Sequence, residues 1–305
     1  MLDYPQLAAL AAVHRRGSFE LAAATLAVTP SAISQRIRAL EERMGTLLIR
    51  RGQPCVATET GLRLIRHLEE VALLEHALSD DLPGFGGTLA TVRIAVNADS
   101  LATWLIPALA AVPQMLFDVV IDDQDVSQDW LRRGEVAAAI TGHAGRLQGC
   151  DTLPLGLLRY RATASPAYVA HWLPEGVTRA AIAGAPGLTF SDRDELQARW
   201  LAARFGERVP YPTHRLASTQ AFVDGAVAGL GWGMNPDLLT RGHLADGRLV
   251  ELVADTPLDV PLYWQFARIS ARALAPLTAA IRKAARAALP PLAPAPAPDQ
   301  AAPGF

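Results

Sequence analysis

The sequence predicts an α/β protein in three parts: a winged helix-turn-helix at the N-terminus, one long linker helix, and a C-terminal two-lobed α/β domain. Three observations carry this. Residues 7–58 hold three short amphipathic segments followed by two short strand-like runs, residues 60–82 carry one unbroken helical stripe, and from residue 92 onward strand-like and helix-like segments alternate as in βαβ units. At 305 residues the chain is long enough for two or three domains, and 50% hydrophobic residues supply their cores.

Leu7, Leu10, Ala11 and His14 recur at helical spacing and mark a first short helix. Ser18 caps a second, which carries Phe19, Ala22, Ala23 and Leu26, and Ala27–Val28 make the turn. Thr29 is a good N-cap and Pro30 a good first residue for the third helix, whose Ile33, Ile37, Leu40 and Met44 form an apolar stripe facing inward. Ser31, Ala32, Gln35 and Arg38 then face outward. Those side chains suit a major groove: glutamine pairs with adenine, alanine packs on a thymine methyl, and arginine reaches guanine. Arg36 lies towards the flank and suits a phosphate. Leu47–Arg50 and Cys55–Thr58 read as short strands joined by Arg51-Gly52-Gln53-Pro54, a wing whose Arg50 and Arg51 can touch phosphate. A lone amphipathic helix with an arginine is ordinarily just a solvated helix. A capped helix pair followed by a wing is the arrangement that seats its second helix in duplex DNA.

Ser18 through Leu26, Thr29-Pro30-Ser31-Ala32-Ile33-Ser34-Gln35, Leu40-Glu41, Gly45, Leu48 and Arg50 together resemble the N-terminal signature of LysR-type transcriptional regulators. Thr29 and Ser34, inside that signature, complete a DNA-contacting set of Thr29, Ser31, Ala32, Ser34, Gln35, Arg36, Arg38, Arg50 and Arg51. Charge agrees with a nucleic-acid end: residues 1–66 hold nine Arg against five Asp or Glu, while the whole chain has 28 basic and 30 acidic residues. The resulting net charge of −2 leaves DNA affinity to depend on dimerisation and salt.

From Thr60 to about Leu82, Leu64, Leu68, Val71, Leu74, Leu78 and Leu82 form a stripe that needs a partner, either the chain's own C-terminal domain or a second copy; a two-helix dimer interface is the favoured reading. The family resemblance implies pairing through this helix into a homodimer or homotetramer. Pro83-Gly84-Phe85-Gly86-Gly87 reads as a hinge. The expected boundaries are 1–59 for the DNA-binding domain, 60–87 for linker and hinge, and 88–290 for the effector domain. Within it, lobe I takes about 88–163 and 264–290, and lobe II about 164–263. Residues 291–305, rich in Pro and Ala, are expected to be a disordered tail.

In lobe I, Val92–Val96, Phe117–Asp122 and Val136–Thr141 read as strands, and Leu101–Val112 and Val126–Arg133 as helices, giving a parallel subdomain. In lobe II, strands are expected near Gly187–Phe190, Arg215–Ala217 and Gly231–Met234, with helices near Leu196–Phe205 and Gln220–Ala228. The chain returns through Leu262–Phe266 to a last helix from Arg272 to about Leu289. Two such lobes joined by crossing segments leave a cleft at the strand C-terminal ends, where small ligands bind. The arrangement resembles the periplasmic-binding-protein-like effector domain of the same family.

Asn97, Asp99, Ser100 and Leu101 fall at a strand end and helix start, where backbone N–H groups and the Ser100 hydroxyl favour a carboxylate. Asp99 fits a cap of that helix better than a direct ligand contact. Asp122, Asp123 and Asp125 end the next strand. Three carboxylates so close repel unless a cation or solvent relieves them, so they make either a seat for an ammonium or guanidinium, or a solvated loop with one helix cap. Ser218 and Thr219 open a helix in lobe II and could reach across the cleft, although capping explains one of them.

Asn97–Ala110, Leu131-Arg132-Arg133-Gly134-Glu135-Val136, Ser165-Pro166, Gly176-Val177-Thr178 and Leu262-Tyr263-Trp264 resemble the subgroup called ArgP or LysG. That resemblance implies sensing of lysine or arginine and activation of a basic amino acid exporter gene. Trp232, Asn235 and the stretch Asp255–Pro261 follow no assignable pattern, so lysine, arginine and another cationic metabolite all remain open; a regulator of the same architecture with an aromatic acid as effector is the alternative. The partners expected are double-stranded DNA, the effector and further copies of the chain, with RNA polymerase left open and no membrane. A solute-binding or catalytic protein using its N-terminal helices as an interaction module would show no DNA binding by residues 1–90.

Other classes find little support. Cys55 and Cys150 fall in different predicted domains without metal spacing, which suits a reducing cytoplasm. The N-terminus lacks a signal peptide's regions, and no apolar run reaches the ~18 residues that span a bilayer. The seven histidines are scattered, no His-Glu-x-x-His, Gly-x-Ser-x-Gly or phosphate-loop lysine appears, and neither an enzyme nor a cofactor is expected. Gly229-Leu230-Gly231-Trp232-Gly233 follows a predicted helix rather than opening one, so it reads as a turn.

Overall fold

The computed structural model describes residues 1–79, 89–122, 127–145 and 147–292. The chain divides into two compact units, Met1–Val92 with Gln114–Asp118, and Arg93–Pro113 with the chain from Val119 onward. The expected hinge Pro83–Gly87, together with Leu82, Asp123, Asp125, Val126 and the tail from residue 293, lies outside the described residues.

The first unit opens with α1 (Tyr4–Arg16), α2 (Phe19–Thr25) and α3 (Pro30–Met44), whose starts are fixed by the side chains of Asp3, Ser18 and Thr29 accepting backbone N–H bonds. Leu7, Leu10, Val13, Ile33, Ile37 and Leu40 pack into one core that extends to Leu48 of the wing and to Leu64 and Ile65 of the linker helix. Met44, expected on the inward stripe, is 38% exposed. It is the last residue of α3, Gly45 behind it takes the left-handed conformation at φ +67° that terminates the helix, and the core stops a turn earlier at Leu40.

The wing is the antiparallel pair β1 (Ile49–Arg50) and β2 (Val56–Ala57); β1 starts two residues later than the sequence suggested, and β2 is one residue shorter at each end. The linker helix α4 (Glu59–Ser79) follows. Its expected single stripe divides: Leu64 is buried, whereas Leu74 and Leu78 are 41% and 43% exposed, and Leu73, which was not on the expected stripe, is buried instead. At 3.6 residues per turn Leu73 lies on the opposite side of the helix from Leu64, while Leu78 lies within about 40° of it, so the side buried near the start of the helix is open near its end.

The α/β part begins with β3 (Ala90–Val96), α5 (Ala98–Ser100), a π-helical turn at Leu101–Leu105, α6 (Ile106–Ala110), β4 (Met115–Ile121), α7 (Ser127–Arg132) and β5 (Ala138–Thr141). The chain continues through β6 (Cys150–Ala164), α8 (Pro166–Trp172), α9 (Arg179–Gly184), β7 (Gly187–Thr189), α10 (Leu196–Phe205), β8 (Thr213–Arg215) and α11 (Thr219–Val227). It ends with β9 (Gly233–Pro236), α12 (Asp237–Ala245), β10 (Val250–Glu251), β11 (Leu258–Ala267) and α13 (Ala275–Ala288). The main sheet runs β10-β6-β11-β5-β3-β4, with β9 also paired to β6, and β7-β8 form a small parallel sheet in lobe II.

Two corrections follow from the topology. The sheet is mixed: β3 and β5 are parallel, with Ile94 opposite Ala138, but the returning β11 lies antiparallel to both β5 and β6. The long strand β6 was also unexpected. Its Pro154 and Gly156 are residues that argue against a strand interior, and they sit where the register with β11 slips between Leu262 and Tyr263, a bulge. Gly156 is required there, because a Cβ would lie 2.7 Å from that of Leu289 and 2.8 Å from the Pro290 carbonyl. The unassigned stretch Asp255–Pro261 supplies the start of β11. β8 begins two residues earlier and β9 two residues later than expected, the latter because Trp232 first bridges to Gly187 as a buried residue. Among the described residues no helix is long and apolar enough to cross a membrane.

Candidate functional site

Two surfaces carry the chemistry. On α3, Ser31, Gln35 and Arg38 are exposed and share one face at i, i+4 and i+7, opposite the buried Ile33, Ile37 and Leu40. Ala32, Ser34 and Arg36 are half-buried beside them, and the Thr29 hydroxyl is engaged by the Ala32 N–H at 3.2 Å. Arg50 and Arg51 are exposed on the wing. The Arg51 guanidinium lies 5.3 Å from the centroid of the Phe19 ring, a cation–π contact that draws it towards the helix pair.

The second surface is a cleft of about 360 Å³ between the two lobes. Lobe I contributes Asn97, Asp99 and Asp122, and lobe II contributes Arg193, Asp194, Glu195, Arg199 and Thr219, with Tyr160 of β6 at the base. Asn97 is buried and both polar atoms of its amide lack a hydrogen-bond partner. Asp99 does not cap its helix. Its carboxylate accepts the Tyr160 hydroxyl at 2.6 Å and the Thr219 hydroxyl at 2.7 Å, the latter bond crossing from lobe II. Asp122 accepts the Trp130 indole N–H at 2.9 Å and Arg193 at 3.0 Å, again from the other lobe.

Not every expected contact reaches the cleft. Ser100 is fully buried with an unpartnered hydroxyl, and neither it nor Leu101 lines the cavity, because the helix turns both side chains away from the strand end. Ser218 caps α11 through the Ala221 N–H and is exposed outside the lining, whereas Thr219, one residue on, lies within it. The lobe II turn Ser191–Glu195 was missed. The rule used for lobe I, polar residues just past a strand's C-terminal end, would have found it after β7.

A winged helix-turn-helix on one chain with a two-lobed cleft domain is the architecture of a DNA-binding transcriptional regulator. Residues 4–62 match the bacterial regulatory helix-turn-helix protein, lysR family, and residues 86–290 match the LysR substrate binding domain. The chain belongs to the LysR family of transcriptional regulators.

It is 44% identical over 288 residues to the HTH-type transcriptional regulator LysG of Mycobacterium bovis, covering 93% of this chain and 94% of that one. Its fold resembles the crystal structure of ArgP from Mycobacterium tuberculosis, with a TM-score of 0.78 and 43% identity over 96% of this chain and 100% of that one. A similar comparison holds for full-length LysG from Corynebacterium glutamicum with bound effector Arg: TM-score 0.66 and 33% identity over 95% of this chain and 100% of that one. These relatives are named as regulators, which places the chain outside the enzymes.

Proposed function

We propose that this regulator senses a basic amino acid, lysine or arginine, in its cleft and controls a gene for export of the same compound. The observation that carries the effector class is the charge of the lining: Asp99, Asp122, Asp194 and Glu195 against Arg193 and Arg199. An excess of carboxylates in a partly enclosed cleft attracts a cationic ligand and repels a simple anion. The unpartnered amide of Asn97 and the guanidinium of Arg199 offer donors to the α-carboxylate. Arginine bound to the LysG relative of Corynebacterium glutamicum supports the same class. Calorimetric titration of the full-length protein is expected to give binding of arginine or lysine, weakened at least tenfold by Asp122→Asn. Binding of an aromatic acid with no response to either basic amino acid would overturn the assignment.

On the DNA side, Gln35→Ala is expected to cost about 1–3 kcal/mol of operator affinity and to relax choice at one base pair. An equal loss on operator and random duplexes in a gel-shift series would contradict base readout by Gln35. The exposed Leu74 and Leu78 of α4 support pairing of two copies through this helix. Two winged modules would then sit in successive major grooves, and ligand binding between the lobes would alter their spacing. Identical footprints with and without arginine or lysine would refute that coupling.

A further inference from the structure

The acidic seat at the end of β4 already holds a guanidinium belonging to the protein itself. Asp122 has a side chain only 14% exposed, and its two oxygens accept from different groups: Oδ2 from the Trp130 indole at 2.9 Å, Oδ1 from Arg193 Nη2 at 3.0 Å. The Trp130 ring is braced by the guanidiniums of Arg133 and Arg93, 5.1 and 5.9 Å from its centroid, so the carboxylate is held in a fixed orientation.

Arg193 comes from the opposite lobe, on the turn between β7 and α10. That turn is tied down without the Arg193 side chain. The backbone N–H groups of Phe190 and Leu196 donate to Asp194, the N–H of Arg193 donates to Ser191 Oγ, and Arg215 pairs with Asp192. The Arg193 side chain itself is 61% exposed and lines the cleft.

We propose that Arg193 is a specificity-determining residue that acts as a built-in competitor for the cationic end of the ligand at Asp122. The inference rests on the basic amino acid reading of the cleft. A ligand guanidinium or ammonium that takes the seat on Oδ1 replaces one cation by another, so Asp122 is never left unpaired. The displaced Arg193 moves into water it already partly contacts. Because the competitor is tethered, it acts at a high effective concentration, and the apparent affinity of the ligand falls by the fraction of seats it occupies. A neutral ligand gains nothing from its removal. The exchange also frees lobe II from one of its bonds to lobe I, while the Thr219–Asp99 bond, whose donor is uncharged, offers no such exchange.

The test is calorimetric titration of the full-length protein with L-arginine, L-lysine and L-citrulline, the last being the uncharged isostere of arginine. Arg193→Gln is expected to bind arginine about tenfold more tightly than the wild type, a change of roughly 1.4 kcal/mol. It should leave citrulline unchanged, and the gain should vanish when Asp122→Asn is added. Arg193→Lys, which keeps the charge, is expected to stay near the wild type. If the wild type binds arginine and Arg193→Gln binds it equally or less well, the competitor role is overturned while the reading of the cleft stands. If neither protein binds arginine or lysine, that reading fails first and takes the competitor role with it.

Discussion

Leu40→Ala is expected to lower the stability of the DNA-binding domain by about 2–5 kcal/mol and to abolish operator binding at physiological temperature. Leu40 is fully buried on the inner side of α3, in the core formed with Leu7, Leu10, Ile33, Ile37 and Leu48. Removing most of its side chain there costs the transfer free energy of the lost methylenes and opens a cavity that close-packed helices fill only in part. The functional loss follows from the same packing. Ser31, Gln35 and Arg38 face outward only because the opposite side of the helix is held by this core. Met44→Ala provides the contrast: at 38% exposure it should cost less than about 1 kcal/mol. Thermal unfolding followed by calorimetry should show the first transition lowered by Leu40→Ala alone, with a transition from the effector domain unmoved. Similar melting of the two variants would contradict the division of α3 into a packed face and a reading face.

The helix-turn-helix was legible because each of its boundaries is chemical. Ser18 and Thr29 cap and Pro30 starts, and these effects act over three or four residues that sequence alone displays; the stop at Gly45 is as local but was not among the expectations. The strand-helix alternation of lobe I was legible for the same kind of reason, its apolar runs being short and bounded by polar turns. What sequence could not display is pairing over long range. β6 is a strand because β11, about a hundred residues later, lies against it from Cys150 to Tyr160, and its Pro154 and Gly156 conceal the pattern locally. The same holds for the cleft. Asn97 and Asp122 could be placed at strand ends, but the bonds from Tyr160, Thr219 and Arg193 that organise the site come from elements 61, 120 and 71 residues away in sequence. Ser100 shows the opposite error: a residue type suited to a ligand, at a suitable helix start, pointing the wrong way.

Asp237→Ala is expected to destabilise the effector domain by about 3 kcal/mol at neutral pH, and the deficit should disappear in acid. Asp237 is the first residue of α12, and its side chain is only 6% exposed. Arg161 of β6 donates to one carboxylate oxygen at 2.5 Å and Arg241 to the other at 2.7 Å, while Arg161 also reaches Glu251 of β10 at 2.6 Å. The network therefore ties α12 and β10 to the long strand. Burial alone would raise the Asp237 carboxyl, but the hydrogen bonds from Arg161 and Arg241 outweigh it and hold the group below the ordinary carboxylate range. A carboxyl depressed on folding contributes stability that is fully present above its unfolded value, about 3.9, and is lost as pH falls through the folded value. Removing Asp237 leaves Arg161, 23% exposed, with Glu251 as the remaining partner of this trio; Arg241, exposed to water, adds little to the cost. Urea unfolding of wild type and variant should therefore differ by a constant amount from about pH 5 to 8 and converge below about pH 4. A gap that persists unchanged at pH 3 would mean that α12 depends on Asp237 through packing or helix geometry rather than through its charge.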